Sequence, residues 1–511
     1  MIIDARSITD NTTIETDICI VGAGVAGITL AREFIGFGAR VCLLESGGFE
    51  PDKVTQSLAW GENVGFPYYS LDVSQARFFG GTSNCWHVGI GESQLGARLH
   101  ALDAIDFEER DWIPYSGWPF AKDHLDPFYE RAHFICRTGP YDENAESWAD
   151  PLVCRPLPLS PDRVKTTIFQ FVRREVFFQQ HRNELEKAEN ITTVLHANAI
   201  EIETNDTVQK VNGIKAACLN GGKFRVKART FVLASGAIEV PRLLLASNRI
   251  QKAGLGNQYD LVGRFFMEHP HLWSGIFVPS GDHLFRTTGL YRVHTFNNVP
   301  IMGKLTLSDN VLRSERLLNY AVSLHPKLCA DPAHRTNTAN GSPGLKEKIY
   351  RRVKGTRKIE VFALNHMSEQ SPNPDSRLIL SDETDALGQR RVKLDWRLTA
   401  TDMRTIRRAQ QIIDDEVRCS GLGRLHIEMK DESIPPQITG GWHHMGTTRM
   451  HVDPARGVVD EQCRVHGIAN LFVAGPSVFP TCGYANPVLT IVALAARLGD
   501  YVKKNMESPG V

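Results

Sequence analysis

The chain has 511 residues, with 58 Lys and Arg against 58 Asp and Glu, so its formal charge is zero when histidine is neutral. A single core seldom grows beyond ~250–300 residues, so two lobes are expected. Balanced charge excludes a dedicated nucleic-acid binder, which carries a basic excess. A composition of 42% hydrophobic and 23% charged residues excludes a largely disordered chain.

Residues 17–22 (DICIVG) read as a buried parallel strand. Gly22, Gly24 and Gly27 follow as G-x-G-x-x-G. A helical run, ITLAREFIGFG, leads to a second apolar strand that ends on Glu45. This is a whole βαβ unit with a dinucleotide fingerprint. Gly22 permits the tight turn, Gly24 lets backbone approach a pyrophosphate, and Gly27 lets helix pack on strand. The helix N-terminus offers N–H donors to phosphate. Glu45 stands where a carboxylate accepts ribose hydroxyls. NAD and FAD both fit; the glycine-rich turn at Glu45-Ser46-Gly47-Gly48 leans towards flavin.

At 77–90, RFFGGTSNCWHVGI sets Gly80 and Gly81 where backbone could approach a flat ligand, with Thr82, Ser83 and Asn84 as hydrogen-bonding groups. A tight structural loop is the plainer reading of that segment. SGWPFAKDHLDPFYERA reads as a capped helix entering a second lobe, and 191–204 as one alternating strand. RTFVLASGAIEVPRLLLAS repeats strand, glycine and helix, with Ser235-Gly236 at the strand's carboxyl end, where open α/β sheets bind ligands. Residues 271–435 read as β-rich. The polar, then basic, stretch 331–358 reads as a solvated face or a subunit contact. A final strand, NLFVAGPSV, precedes the helix PVLTIVALAARLGDYVKK.

The ten cysteines form no C-x-x-C pair and read as reduced thiols. The N-terminus lacks a signal-peptide pattern, and no apolar run reaches 18 residues. A cytoplasmic protein, apart from membrane and nucleic acid, is expected; a homo-oligomer is compatible with this. There is no Walker A, H-E-x-x-H or G-x-S-x-G pattern.

Chemistry concentrates in Gly441–Met450 (GWHHMGTTRM) and in 480–487 (PTCGYANP). Oxidation of an alcohol needs a hydride acceptor and a base for the hydroxyl proton. Histidine suits the base, and asparagine can orient the same oxygen without competing for its proton. Metal binding by His443, His444 and His451 is disfavoured, because adjacent histidines diverge on an extended chain and no carboxylate or cysteine cluster accompanies them. No metal is expected. Asn486-Pro487 could also cap the helix that follows.

These motifs resemble the glucose–methanol–choline (GMC) oxidoreductases, across essentially the whole chain and most strongly at 18–48, 77–90, 230–245 and 440–498. The resemblance implies a Rossmann-like α/β FAD-binding domain (1–95, 195–270 and 440–511) interleaved with a β-rich, α+β substrate-binding domain (96–194 and 271–439). It implies catalysis by His443 and Asn486, a His/Asn pairing similar to the pyranose oxidase branch. It places Ser46, Gly80, Gly81, Thr82, Asn84, Cys85 and His87 along the flavin and Ala199 near the adenine. Ser235, Gly236, Gly475, Pro476 and Pro487 should also line the cofactor. The flavin-linked histidine of that branch is replaced here by Asn84-Cys85-Trp86, so noncovalent FAD is expected, with a thioether at Cys85 as the alternative. The implied reaction oxidises a hydroxyl of a sugar or glycoside, a secondary ring hydroxyl, to a ketone, with electrons passing to oxygen or another acceptor. Primary-alcohol oxidation of an amino sugar is a second reading. A non-catalytic flavin-binding or electron-transfer subunit is a third.

Overall fold

Uninterrupted apolar runs can be buried on both faces only inside a parallel sheet flanked by helices, and that is where they lie. Ile18–Val21 and Val41–Leu44 are buried at every position. They form the centre of a six-stranded sheet in the order Ile2–Asp4, Ile191–Leu195, Val41–Leu44, Ile18–Val21, Thr230–Leu233, Leu471–Val473. Every pair in it is parallel. The structure, a computed structural model, describes residues 1–86, 88–90, 93–150, 154–281, 284, 288–328 and 360–507. The basic stretch 331–358 and His87 fall outside the described residues.

Register aligns the carboxyl ends of the central strands. Val21 sits beside Leu44 and Leu233, and Leu233 beside Val473. The residues just beyond, Gly22, Glu45, Ser235 and Gly475, therefore share one edge. Helix Val25–Glu33 packs so tightly on the first turn that a Cβ on Gly27 would lie 1.9 Å from the Gly22 carbonyl oxygen. Gly22 itself has φ +104°, open to glycine and strained for other residues. The C-terminal helix Val488–Glu507 closes this lobe's core together with Asp126–Ile135.

A four-stranded sheet of Asn198–Thr204, Val211–Ala217, Lys223–Lys227 and Thr13–Glu15 flanks the parallel sheet. The second lobe is a nine-stranded antiparallel sheet. Its path runs Gly423–His426, His271–Pro279, Glu360–Ser368, Tyr320–Leu328, Val299–Leu307, Val164–Arg173, Ser93–Leu99, Val88–Ile90, with His294–Phe296 paired beside it. Helix Ala400–Cys419 covers its outer face, packing Ala409, Ile412 and Ile413 against Ile168, Leu305 and Leu364. The inner face looks back towards the parallel lobe through Phe169, Ala321, Met367 and Tyr484.

Four expectations shift. The boundary at 95/96 falls inside strand Ser93–Leu99, which belongs with Val88–Ile90 to the antiparallel sheet. Ile191–Leu195, which the expected boundary at 194/195 cuts, is a strand of the parallel sheet. The alternating run 191–204 is two strands, because His196 adopts φ +56° and redirects the chain from one sheet to the next. The helix expected to enter the second lobe lies in the first, where the Tyr129 hydroxyl meets Thr490 Oγ1 at 3.0 Å.

Gly27→Ala should lower the stability to urea by at least about 2 kcal/mol, since helix and turn must separate. Gly38→Ala, whose Cβ would meet nothing within 4 Å, should stay within about 0.5 kcal/mol. Equal midpoints for the two variants would contradict this account of the turn.

Candidate active site

A cleft that encloses about 1320 Å³, part of it open solvent, runs along the carboxyl edge of the parallel sheet. It is lined by Gly22, Gly24, Glu45, Ser46, Gly81, Thr82, Ala199, Ser235 and Gly236, and also by Trp442, His443, Pro476 and Pro487. The structure thus brings most of the residues singled out in sequence to one continuous wall.

Gly80, Asn84, Cys85 and Gly475 are not part of that lining. Gly80 (φ +95°) donates its N–H to the Ala23 carbonyl at 2.8 Å, bringing the second glycine turn onto the first. Asn84 is buried and donates to the Phe79 and Gly81 carbonyls, so it braces that turn. Cys85 is half-buried, and burial raises its thiol above the ordinary range. Gly475 (φ +128°) turns the chain into Pro476.

A dinucleotide fits this edge. The helix starting at Val25 has Gly24 at its N-cap, and no side chain caps it, so its first-turn N–H groups face the cavity that Gly24, Val25 and Ala26 line. A Cβ on Gly24 would meet only the Gly81 Cα, at 4.0 Å, and would fill the cradle itself. Glu45 is buried. It accepts from Ala23 N at 2.9 Å, Gly47 N at 2.9 Å and Ser46 Oγ at 3.0 Å, and still borders the cavity. Carboxylate oxygens retain lone pairs for ribose hydroxyls after such contacts.

The histidine of the turn is held through both of its ring nitrogens. His443 Nδ1 lies 2.9 Å from His269 Nδ1, and His443 Nε2 lies 3.0 Å from Asn486 Nδ2. His269 Nε2 lies 3.3 Å from the Cys482 carbonyl oxygen. A carbonyl only accepts, so His269 carries its proton on Nε2 and presents a bare Nδ1. His443 must then donate from Nδ1, which leaves its Nε2 lone pair facing the Asn486 amide. One backbone carbonyl thereby fixes both tautomers. Burial, reinforced by His269, His271, Arg98 and His444, holds His443 well below the ordinary histidine range. Burial brings His269 down to about 4. Both rings are neutral near pH 7. The Asn486 Oδ1 is buried without a partner, a polar atom left for a ligand.

The backbone of that turn rests on Glu268, which sequence reasoning passed over. Its carboxylate accepts from Gly441 N at 2.8 Å, His443 N at 2.7 Å, His269 N at 3.0 Å and the Tyr68 hydroxyl. Trp442, between the first two donors, has φ +60°, and its carbonyl accepts from Trp86 Nε1 at 3.2 Å. Glu268-His269-Pro270-His271 stood out in the sequence only as polar residues inside the apolar run FFM…LW. Arg77, Glu239, Arg242 and Asp385 were also missed. They form an ion-pair chain along the cavity (Arg77–Glu239 3.1 Å, Arg242–Asp385 2.7 Å). Asp385 comes from a segment assigned to substrate binding; it follows strand Arg377–Thr384, which lies close to helix Gly236–Ala246. Among the described residues, no group of three or more His, Cys, Asp or Glu side chains could hold a metal ion. No helix there is long and apolar enough to cross a membrane.

Fold and site define a dinucleotide-dependent α/β oxidoreductase. A family model described as GMC oxidoreductase matches residues 372–495. The fructose dehydrogenase large subunit of Gluconobacter japonicus is 26% identical, over 97% of this chain and 99% of its own. Paromamine 6'-oxidase of Streptomyces fradiae is 24% identical, over 96% and 92%. The crystal structure of pyridoxine 4-oxidase from Mesorbium loti shares the fold at TM-score 0.55 and 16% identity, over 95% of this chain and 98% of that one. Residues 372–495 thus form a GMC oxidoreductase domain, and the chain is an FAD-dependent enzyme acting on CH–OH groups.

Burial raises Glu268 from 4.5 to about 7, against the pull of its hydrogen bonds. A raised folded-state value means the folded chain holds this proton more tightly than the unfolded one. The resulting stability is complete below pH ~4.5 and is lost as pH rises through ~7. Wild type should therefore lose about 3 kcal/mol more than Glu268→Gln across that window, read from urea midpoints at successive pH values. Parallel pH profiles would refute the assignment.

Proposed function

We propose that the protein oxidises a secondary ring hydroxyl of a sugar or glycoside to a ketone, using noncovalently bound FAD. The observation that carries this reading is the Cys482 carbonyl–His269–His443–Asn486 chain, which presents a neutral imidazole lone pair at the ring end of a dinucleotide cavity. FAD bound along the carboxyl edge supplies the acceptor for the hydrogen and electron pair leaving the substrate carbon. Gly24 and the first turn of helix Val25–Glu33 would hold its phosphates, Glu45 its ribose, and Pro476 and Pro487 would border its ring.

The chain's own residues handle the proton. His443 takes the hydroxyl proton at Nε2, and the Asn486 amide holds the same oxygen from the other side. His269 keeps His443 in the tautomer that can accept there. Glu268 fixes the backbone on both sides of Trp442, so the ring cannot drift from Asn486. The buried surroundings exclude water from the acceptor atom. Sugar chemistry is supported by relatives along nearly the whole chain whose names specify fructose and paromamine.

Noncovalent binding is supported at Cys85, whose raised thiol disfavours the thiolate that a thioether bond needs. Acid precipitation should release the yellow colour into the supernatant; colour retained in the pellet would refute noncovalent attachment.

Anaerobic addition of sugars and glycosides should bleach the bound flavin and yield a ketone. His443→Ala should slow bleaching by ~10²–10⁴-fold while the cofactor stays bound. A base works only when unprotonated, and His443 is held low. The acid limb of kcat/KM should therefore fall well below the ordinary histidine value of 6.5, leaving the profile flat through that pH. A limb at or above 6.5, or full turnover in His443→Ala, would overturn His443 as the base.

A further inference from the structure

The inner face of the antiparallel sheet lies opposite the catalytic pair, and register fixes which residues share it. Met367 pairs with Ala321 and His271, Asn365 with Ser323 and Trp273, and Ala363 with His325. Lys304 pairs with Thr167, Met302 with Phe169, and Arg98 with Phe171. Met367, Ala321 and Phe169 cluster with Tyr484, two residues before Asn486. The His271 ring centre is 6.0 Å from that of His443. These contacts set the face beside His443 and Asn486.

The charges on that face have one sign. Arg98, Lys304 and Lys327 lie on it with His271 and His325, and its strands place no Asp or Glu there. Lys165, at the far end, is paired with Asp309. Lys304 is only 3% exposed, forms no ion pair among the described residues, and sets its ammonium 4.0 Å from the centre of the Phe169 ring. The Arg98 Nε is buried without a hydrogen-bond partner. His271 Nε2 and Asn365 Oδ1 are likewise buried and unpartnered. Buried cations are ordinarily paired, because an uncompensated charge in an apolar setting is costly. Burial and Arg98 together hold Lys304 well below the ordinary lysine range, and no carboxylate among the described residues raises it. A ligand anion would restore its charge.

We infer that the substrate is anionic: a hydroxylated carboxylic acid of the sugar-acid class, with its carboxylate received by Lys304 and Arg98 while its oxidisable hydroxyl meets His443. This rests on the alcohol-oxidising reading above and narrows it. Two single cations, one of them a planar guanidinium fork, match the charge and shape of a carboxylate. A phosphate ester shares the anionic chemistry, and the test separates the two.

Anaerobic bleaching of the holoenzyme by galacturonate, glucuronate and gluconate is compared with bleaching by their neutral carboxamides and by glucose 6-phosphate. At least one acid should exceed its carboxamide by about 100-fold in kcat/KM. Lys304→Met should collapse that preference to below about 10-fold, mainly through KM. A readout without turnover accompanies it. Cyclohexanecarboxylate, which has no hydroxyl, should shift the bound-flavin absorption, whereas cyclohexanecarboxamide should not, and Lys304→Met should abolish the shift. If Lys304→Met does not fold, Arg98→Gln is read in the same two ways. Carboxamides or neutral sugars that bleach as fast as the acids would overturn the inference and leave the alcohol-oxidising reading standing. Bleaching by the phosphate ester alone would overturn the carboxylate. A holoenzyme that no hydroxylated compound bleaches would overturn both readings.

Discussion

The site depends on one buried carboxylate. Glu268 gathers backbone donors from Gly441, His443 and His269, together with the Tyr68 hydroxyl. Those groups come from three stretches of chain some two hundred residues apart. No local preference would hold Trp442 at φ +60°, a region that bulky residues avoid. It stays there because the N–H groups on either side of it are both anchored on the same carboxylate. The position of His443 is thus an outcome of tertiary hydrogen bonding, and the strain of the turn is balanced outside the turn.

The same economy of donors sets the protonation of the site. A carbonyl at Cys482 accepts and cannot donate, so every hydrogen in the chain through His269 and His443 to Asn486 has only one place to be. Burial then removes the competing state, because an imidazolium here would be desolvated beside Arg98 and three further imidazoles. Carboxylates commonly orient a histidine by strengthening it as a base. A neutral histidine in that place orients without adding charge, and leaves the base weak while the site is empty.

What the sequence made legible follows from locality. The βαβ unit, its glycines and Glu45 were readable because each acts within about thirty residues, through backbone geometry that only glycine allows. His443 and Asn486 were readable from motif resemblance. Glu268 and His269 were not, since nothing in a stretch such as FFMEHPHLW states that its polar residues turn towards a loop 175 positions away. The split of 191–204 failed for a related reason. Alternation describes faces and is silent about a single residue, His196, that sends the chain from one sheet to another. Arg77, Arg242 and Asp385 likewise meet only across the assembled cavity.

Net charge is a sum over the whole surface, while recognition depends on the field at one face. The inner face of the antiparallel sheet keeps its cations without acids beside them among the described residues, and one of those cations, Arg98, is among the causes that hold His443 low. An anion seated between Lys304 and Arg98 would cancel part of that opposing field. The imidazole would then become a stronger base at the moment the substrate arrives, and would revert to a weak one when the site empties. Substrate charge and base strength would then be coupled through Arg98, so that binding and proton abstraction would need no separate device to bring them into step.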